Sequence, residues 1–206
     1  MKCIAHRGYS LMHIDNSIEA IREAVHRGYD GVEIDIQLCG SGDIVLFHDV
    51  YVGNHFICDL NLDELRQVGV CSLEDIYEQI PEIKDTLLLL DIKGNNFQIT
   101  QALEKFYEKR STRNVIFCSF NRKLIYNLPE MFQKGSTFET TFNHWEYDSI
   151  IRGLKAVVLH WTCLDHDFIS YCKMKDIRVY TYTHKDDKEL EYMYKYNVDA
   201  IITNGF

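Results

Sequence analysis

Residues 31–49 read GVEIDIQLCGSGDIVLFHD. The segment 31–38 is typical of a buried β-strand that carries Glu33 and Asp35 two positions apart. Because side chains alternate between the two faces of a strand, both carboxylates lie on the same face. Gly42-Asp43 and the apolar run that ends at His48 predict a hairpin after this strand, not a further strand of the main sheet.

Short apolar segments alternate with amphipathic ones along the rest of the chain. Continuous apolar segments are typical of parallel strands that are buried on both faces. We predict strands over residues 2–5, 31–38, 86–92, 115–120, 136–141, 156–161, 178–183 and 200–203. Further helices are predicted over residues 62–68, 73–80, 97–109, 122–132, 146–154, 165–175 and 188–196.

The first helix follows the first strand. We expect Asn16 to be its N-cap, with Glu19 three residues later supporting the start and Gly28 ending it. Eight strands that alternate with helices predict an α/β protein with a (β/α)8 TIM-barrel fold. A doubly wound sheet is the main rival, but it needs a Gly-rich phosphate loop that this sequence lacks.

Composition narrows the class of protein. The chain has 206 residues, of which 46% are hydrophobic and 13% aromatic, so we expect one domain over residues 1–206 with a full core. A net charge of −9 argues against a nucleic-acid-binding surface. We expect no membrane span, because no apolar run approaches the ~20 residues that one requires. The seven cysteines are scattered without CxxC spacing, which favours reduced thiols and a cytoplasmic location.

Polar residues cluster where the predicted strands end, which is where barrel enzymes carry their catalytic groups. These ends carry His6-Arg7-Gly8, Glu33 with Asp35, His48-Asp49 and Asp91-Ile92-Lys93. Each motif alone also fits an ordinary ion pair or turn. Together they place several charges at one barrel mouth, and buried charge without a function is costly.

Three carboxylates at one mouth, from Glu33, Asp35 and Asp91, repel one another unless a cation compensates them. Mg²⁺ or Ca²⁺ suits such a site, because both prefer oxygen ligands. Two flanking histidines can then divide the proton transfers of phosphodiester cleavage. The cations of Arg7 and Lys93 would neutralise the remaining phosphate charge.

The same residues carry a family resemblance. IAHRGYS at 4–10 and DNSIEAIREAVHRGYDGVEIDIQLCGSGDIVLFHD at 15–49 resemble the N-terminal signature of glycerophosphodiester phosphodiesterases. Weaker matches follow in CSLEDIYEQI, LLLLDIKG, VIFCSF and VDAIITNGF. The resemblance implies hydrolysis of glycerophosphodiesters to sn-glycerol 3-phosphate and an alcohol, through attack by the glycerol 2-hydroxyl and a cyclic phosphate.

Carried over position by position, the resemblance implies roles for five residues. Glu33 and Asp35 fall on the family's metal ligands, and Arg7 falls on its phosphate contact. His6 and His48 fall on its two catalytic histidines. We expect His48 to be the acid for the leaving alcohol and His6 to be the base.

The chain departs from the family pattern at two strand ends. Asp91 stands where the family usually has Glu. An Asp at this position resembles the related sphingomyelinase D-type phospholipases of spider venom. The family's Trp-Thr-x-Asn segment reads Tyr182-Thr183-His184-Lys185 here. Tyr182 is therefore either a wall of the substrate pocket or core filler, and Lys185 would add a cation near the phosphate.

Length predicts a minimal barrel. Residues 49–72 are too few for the small insertion domain of many members, and no eighth helix follows the last strand before Phe206. We expect an open mouth and one flank that is bare or covered by a partner subunit in a homo-oligomer.

Two alternatives to the small-molecule hydrolase stay open. One is phospholipase D-like cleavage of lysolipids, which exposed apolar residues at the mouth would favour; the candidates are Phe56, Ile57, Trp145 and Trp161. The other is a catalytically inactive barrel that serves as a binding module.

Overall fold

The computed structural model describes residues 1–205 and contains a closed barrel of eight parallel strands. The strands are β1 (Lys2–His6), β2 (Gly31–Leu38), β3 (Leu87–Ile92), β4 (Val115–Cys118), β5 (Gln133–Phe138), β6 (Ala156–His160), β7 (Arg178–His184) and β8 (Ala200–Thr203). Strand β1 pairs in parallel with β8 on one side and with β2 on the other, which closes the sheet. The predicted barrel fold is confirmed.

Helices connect the strands around the outside of the barrel. They are α1 (Ile18–His26), α2 (Leu62–Gln67), α3 (Leu73–Gln79), α4 (Ile99–Tyr107), α5 (Arg122–Tyr126), α6 (Tyr147–Ile151), α7 (His166–Met174) and α8 (Asp187–Met193). Single 3-10 turns lie at Ile57–Asp59, Pro81–Asp85, His144–Glu146 and Trp161–Cys163. None of the helices within residues 1–205 combines the length and the apolar character needed to cross a bilayer.

Some predicted element ends are wrong. The helix expected over 122–132 ends at Tyr126, because Pro129 lacks an N–H and disfavours helical backbone in the residue before it. The helix expected over 146–154 ends at Ile151, and Gly153 follows with a φ of +72°. Strand β5 begins three residues earlier than expected, with Gln133 and Lys134, whose polarity hides a strand that pairs with β4.

The crossover from β2 to β3 contains the predicted hairpin. A short strand at Ile44–Leu46 pairs antiparallel with the last residues of β2. A two-stranded ribbon follows, made of Tyr51–Val52 and His55–Phe56, and helix α2 completes the segment before α3. Between residues 49 and 72 the described chain therefore forms only the ribbon, the 3-10 turn at Ile57–Asp59 and α2.

The start of α1 corrects a prediction. Ser17, not Asn16, is the N-cap, because the Ser17 Oγ accepts a hydrogen bond from the Ala20 N–H at 3.1 Å. Asn16 instead adopts a φ of +59° and turns its side chain into the molecule. Its burial leaves it 3% exposed, which an ordinary N-cap residue would not require. The predicted stop at Gly28 fits its φ of +76° just after the helix.

The barrel interior is apolar below its mouth. Buried side chains from alternating strand positions fill it, among them Ile4, Leu89, Ile116, Val158 and Tyr180. A larger apolar layer separates the sheet from the helices. These apolar side chains form an interior plug. The polar residues of β1, β2 and β3 lie above this plug, at the carboxyl ends of the strands.

The expectation that the flank beside β8 is bare or covered by a partner subunit stays a prediction. The described chain ends at Gly205, and Phe206, which falls in the flank expected to be bare, lies outside the described residues.

The glycine after His6-Arg7 provides a test of how the β1–α1 turn packs. Gly8 has a φ of +83°, and a Cβ there would lie 2.5 Å from the carbonyl carbon of Ala20 in α1. Gly28 has a similar φ of +76° but has no atom within 4 Å of such a Cβ. We predict that Gly28→Ala lowers the free energy of unfolding by about 1–2 kcal/mol through backbone strain alone.

Gly8→Ala should cost at least about 2 kcal/mol more than Gly28→Ala, because helix α1 must also move away from the sheet. Urea unfolding of both variants measures the difference. Equal losses in the two variants would contradict the close packing of this turn.

Candidate active site

Strand register brings the predicted polar residues together. His6 lies beside Glu33 across the β1–β2 pair, and Asp35 lies beside Asp91 across the β2–β3 pair. One carboxylate oxygen from each of Glu33, Asp35 and Asp91 lies within 4.8 Å of the other two. All three side chains are buried.

These carboxylates form the floor of a cavity of about 500 Å³ at the carboxyl ends of the strands. Every site residue that the sequence singles out lines this cavity: His6, Arg7, Glu33, Asp35, His48, Asp91, Lys93, Tyr182 and Lys185.

Two cations lie against the carboxylates. The Lys93 Nζ is 2.9 Å from the Asp35 Oδ1 and 2.5 Å from the Asp91 Oδ2. The Arg7 Nε is 3.0 Å from the Asp35 Oδ2, and its Nη1 is 3.0 Å from the Asp15 Oδ2. Arg7 and Lys93 thus form ion pairs with the acidic cluster, and both line the cavity in which we expected them to contact a phosphate.

The protonation of the carboxylates follows from this arrangement. Burial raises the pKa of Glu33 well above its usual value, and the nearby Asp35 and Asp91 raise it further. Burial acts to raise the pKa of Asp35 too, but Lys93 and Arg7 outweigh it and leave the pKa lowered. Burial also raises the pKa of Asp91 against the opposing effect of Lys93. The two cations therefore compensate Asp35 best and Glu33 least.

The cluster fits a hard divalent cation. Its donor set consists of three carboxylates, the ligand type that Mg²⁺ and Ca²⁺ prefer. The Asp91 Oδ1 is buried and has no hydrogen-bond partner among the described residues. A buried oxygen without a partner costs free energy, which an ion bound there would recover.

His6 is held in one tautomer. Its Nδ1 lies 2.6 Å from the Asn204 Oδ1, and an amide oxygen only accepts, so the Nδ1–H donates. The Nε2 is then free to accept a proton and lies 3.9 Å from the Glu33 Oε2. Burial, followed by the charge of Arg7, lowers the pKa of His6 to about 4. The ring is therefore neutral near pH 7.

His48 lines the same cavity from the chain segment that follows the hairpin. Its Nδ1 is 2.8 Å from the Asp49 Oδ1, and its side chain is 45% exposed. The Gln37 amide donates to the carbonyl oxygens of Phe47 and Asp49 at 2.8 and 2.6 Å, which fixes the backbone on both sides of His48.

Sequence reasoning missed three residues that position this site. The Asn16 amide donates to the Asp35 Oδ2 at 2.9 Å and accepts from the Asp35 N–H at 3.0 Å. Gln37 fixes the His48 segment, and Asn204 orients His6. Gln37 could have been found, because it continues the two-residue spacing of Glu33 and Asp35 along β2.

The far wall of the cavity comes from β4, β5 and β7. The Tyr182 hydroxyl oxygen lies 3.3 Å from the Phe138 carbonyl oxygen and 3.2 Å from the Glu139 Oε1, and either oxygen can accept its hydrogen. Its ring lies edge-to-face against Phe120 at 6.2 Å. Tyr182 both lines the cavity and packs on the interior plug, and its role as a wall of the substrate pocket stays a prediction. Lys185 is exposed where β7 leaves the barrel.

The fold and site together define a (β/α)8 barrel with a buried acidic cluster and two histidines at its mouth. Residues 6–205 match the glycerophosphoryl diester phosphodiesterase family. The chain belongs to this family, as its sequence resemblance predicted.

Two relatives illustrate the similarity. Glycerophosphodiester phosphodiesterase 1 of Bos taurus is 30% identical over 66% of this chain and 48% of its own length. A glycerophosphodiester phosphodiesterase of Caldanaerobacter subterraneus is 26% identical over 98% of this chain and 93% of its own length. The chain thus spans about half the length of the mammalian relatives that it matches.

A solved structure shares the fold. It is that of an Oleispira antarctica phosphodiesterase in complex with the product sn-glycerol-3-phosphate, and it superposes with a TM-score of 0.86. The two chains are 22% identical, and the match covers 99% of this chain and 93% of that one.

Asn16 offers a test of how the acidic cluster is held. We predict that Asn16→Gly, which tolerates the positive φ but removes the amide, lowers metal affinity by about 10- to 100-fold. The free energy of unfolding should fall by about 2 kcal/mol, because two hydrogen bonds to a buried carboxylate residue are lost. Calorimetric Mg²⁺ and Ca²⁺ titrations and urea unfolding measure the two effects.

Asn61→Gly is the matched control, since it removes an exposed helix cap and should cost only a few tenths of a kcal/mol. Unchanged metal affinity in Asn16→Gly would show that Asp35 does not need its amide partner.

Proposed function

We propose that this chain hydrolyses glycerophosphodiesters to sn-glycerol 3-phosphate and an alcohol in a metal-dependent reaction. The observation that carries the proposal is one cavity that holds a buried three-carboxylate cluster and two histidines. Family membership supports it, as do relatives named glycerophosphodiester phosphodiesterases. The product in the Oleispira structure is the product expected here.

In this proposal Glu33, Asp35 and Asp91 hold one Mg²⁺ or Ca²⁺. When bound, such an ion polarises a phosphoryl oxygen and stabilises the charge that develops on it. Arg7 and Lys93 already lie at the cluster, and they neutralise further phosphate charge. Asp91 supplies the third carboxylate from a side chain that is one methylene shorter than Glu.

The two histidines transfer the protons. The His6 Nε2 removes the proton of the glycerol 2-hydroxyl, because its Nδ1–H is engaged by Asn204 and the ring is neutral. The 2-oxygen then bonds to phosphorus to form the cyclic phosphate. The bond from phosphorus to the alcohol oxygen breaks, and His48 donates a proton to that oxygen.

The second step reverses the roles. His48 removes a proton from a water molecule, whose oxygen attacks phosphorus and breaks the bond to the 2-oxygen. His6 returns its proton to the 2-oxygen, which leaves sn-glycerol 3-phosphate and both histidines in their starting states.

The overall reaction is tested by following the phosphorus NMR signals of glycerophosphocholine with the purified chain. We predict conversion to sn-glycerol 3-phosphate in Mg²⁺ or Ca²⁺, and little conversion after chelation of the metal. A transient cyclic-phosphate signal is expected if ring opening is slower than its formation. Complete lack of turnover in both metals would instead support the inactive binding module.

The division between acid and base is tested by changing the leaving group. His48→Ala should lose about 10²- to 10⁴-fold in kcat on glycerophosphocholine, because the choline oxygen needs a proton to leave. His48→Ala should lose far less activity on the 4-nitrophenyl diester of glycerol 3-phosphate, because 4-nitrophenolate leaves as a stable anion and needs no proton.

His6→Ala should lose activity on both substrates, because the nucleophile is the same in each. His26→Ala, on the surface of α1, is the control and should change neither. Equal losses for His48→Ala on the two substrates would sink its assignment as the acid.

A second candidate function is cleavage of lysolipids in the manner of phospholipase D. Phe56 and Trp145 support it, since they are 56% and 72% exposed in the connections that follow β2 and β5. Ile57 is buried, and Trp161 packs partly against the core, so these two candidates give no support.

A further inference from the structure

Exposed large apolar side chains are unevenly distributed between the two ends of the barrel. At the end opposite the cavity, Met131, Met174 and Tyr194 are exposed near the amino ends of the strands. Most of the others lie on loops that follow β1 to β5, around the cavity. This mouth rim consists of Leu11, Met12, Ile14, Val50, Tyr51, Phe56, Phe97, Phe120 and Trp145.

The rim side chains contribute little to the fold itself. Met12 is 73% exposed, Ile14 79% and Trp145 72%. Nine exposed apolar side chains on the connections at one end of the barrel are more than single scattered residues, and apolar residues gathered on a surface commonly mark an interaction site. The rim therefore indicates a surface that is covered in use.

The rim adjoins the catalytic cavity and links its loops. Leu11 and Phe120 line the cavity directly. Tyr51 pairs with Phe56 in the ribbon after the hairpin. The methyl Cγ1 of Val50 lies 3.6 Å from where a Cβ on Gly94 would be, so the ribbon meets the loop after β3. Whatever covers the rim also covers the entrance to the cavity.

The position of the rim at the cavity entrance distinguishes between the molecules that could cover it. A second copy of the chain or a folded protein seated on the rim would close the cavity to its substrate. A surface made of phosphodiester amphiphiles covers the rim and supplies substrate at the same time. We propose that the mouth rim docks on such a lipid surface and that the enzyme takes phosphodiesters from it, an inference that rests on the proposed function for its substrate.

The charge of the chain and of the residues around the rim indicates which kind of lipid surface the rim binds. The chain has a net charge of −9, and Asp49 and Glu139 are exposed beside the rim. Arg7 and Lys93 are paired with buried carboxylates, so they add no basic patch to it.

Two exposed lysines lie near the rim: the Lys123 Nζ is 5.5 Å from the centroid of the Phe97 ring, and Lys185 lines the edge of the cavity. Anionic membranes attract clusters of about four to eight Lys and Arg residues, and these two do not form such a cluster. The docked surface is therefore zwitterionic, such as one of phosphatidylcholine and lysophosphatidylcholine.

The test compares two triple variants of the full chain in co-sedimentation with phosphatidylcholine vesicles. The rim variant carries Met12→Ser, Ile14→Ser and Phe56→Ser, none of which lines the cavity. The control variant carries Met131→Ser, Met174→Ser and Tyr194→Ser, which are similarly exposed at the opposite end.

Wild type and control should bind the vesicles, and the rim variant should bind at least about tenfold more weakly, because apolar area that enters the lipid is removed. All proteins should bind more weakly to vesicles of equal parts phosphatidylcholine and phosphatidylglycerol. No binding by wild type, equal losses in both variants, or a preference for the anionic vesicles would overturn the proposal.

Fluorescence provides a measurement that does not depend on how the triple variants fold. Trp161→Phe leaves Trp145 as the single tryptophan, at the rim. Its emission should shift to shorter wavelength on phosphatidylcholine vesicles, and an unchanged spectrum would contradict docking through this loop.

Turnover separates this inference from the proposed function. The rim variant should hydrolyse monomeric glycerophosphocholine like wild type but lose activity on micellar lysophosphatidylcholine. Vesicle binding without hydrolysis of glycerophosphocholine would overturn the proposed function and leave docking standing. Hydrolysis without vesicle binding would overturn docking alone.

Discussion

Repulsion among three buried carboxylates is the constraint on which the site depends. Oxygens of Glu33, Asp35 and Asp91 lie within 4.8 Å of one another. At that separation two like charges repel by about 3 kcal/mol even at an effective dielectric constant of ~20. Lys93 and Arg7 offset two of the three charges, and the raised pKa of Glu33 shows where compensation falls short. The divalent cation that we propose would complete the compensation, and the chemistry of the cavity would then depend on its charge balance.

The fold holds this unfavourable cluster in place through partners outside it. Asn16 bonds to both the side chain and the backbone of Asp35, and it does so with a backbone φ of +59°. Gln37 holds the backbone on both sides of His48, and Asn204 orients the ring of His6. Amide side chains therefore help to set the positions of Asp35, His6 and the chain segment around His48.

The strands and the charged cavity residues could be predicted from the sequence, whereas the amide partners of the site could not. Strands were predictable because apolar segments buried on both faces stand out, and β2 and β8 match their predicted bounds. The cavity residues were predictable because strand ends converge in a barrel. Asn16 was misassigned because the residue types that cap helices also bond buried carboxylates. The rim was only partly predictable: adjacent Phe56 and Ile57 differ in exposure, 56% against 1%, because tertiary packing alone decides which one turns inward.

Metal content tests the central claim most directly. The chain, dialysed against Mg²⁺ or Ca²⁺ and then analysed by mass spectrometry for bound metal, should retain a single ion per molecule. Glu33→Gln, which keeps the shape of the side chain but removes its charge, should retain almost none while staying folded by circular dichroism. Absence of bound metal in the wild type, or equal retention in Glu33→Gln, would contradict the account of the acidic cluster as a cation site.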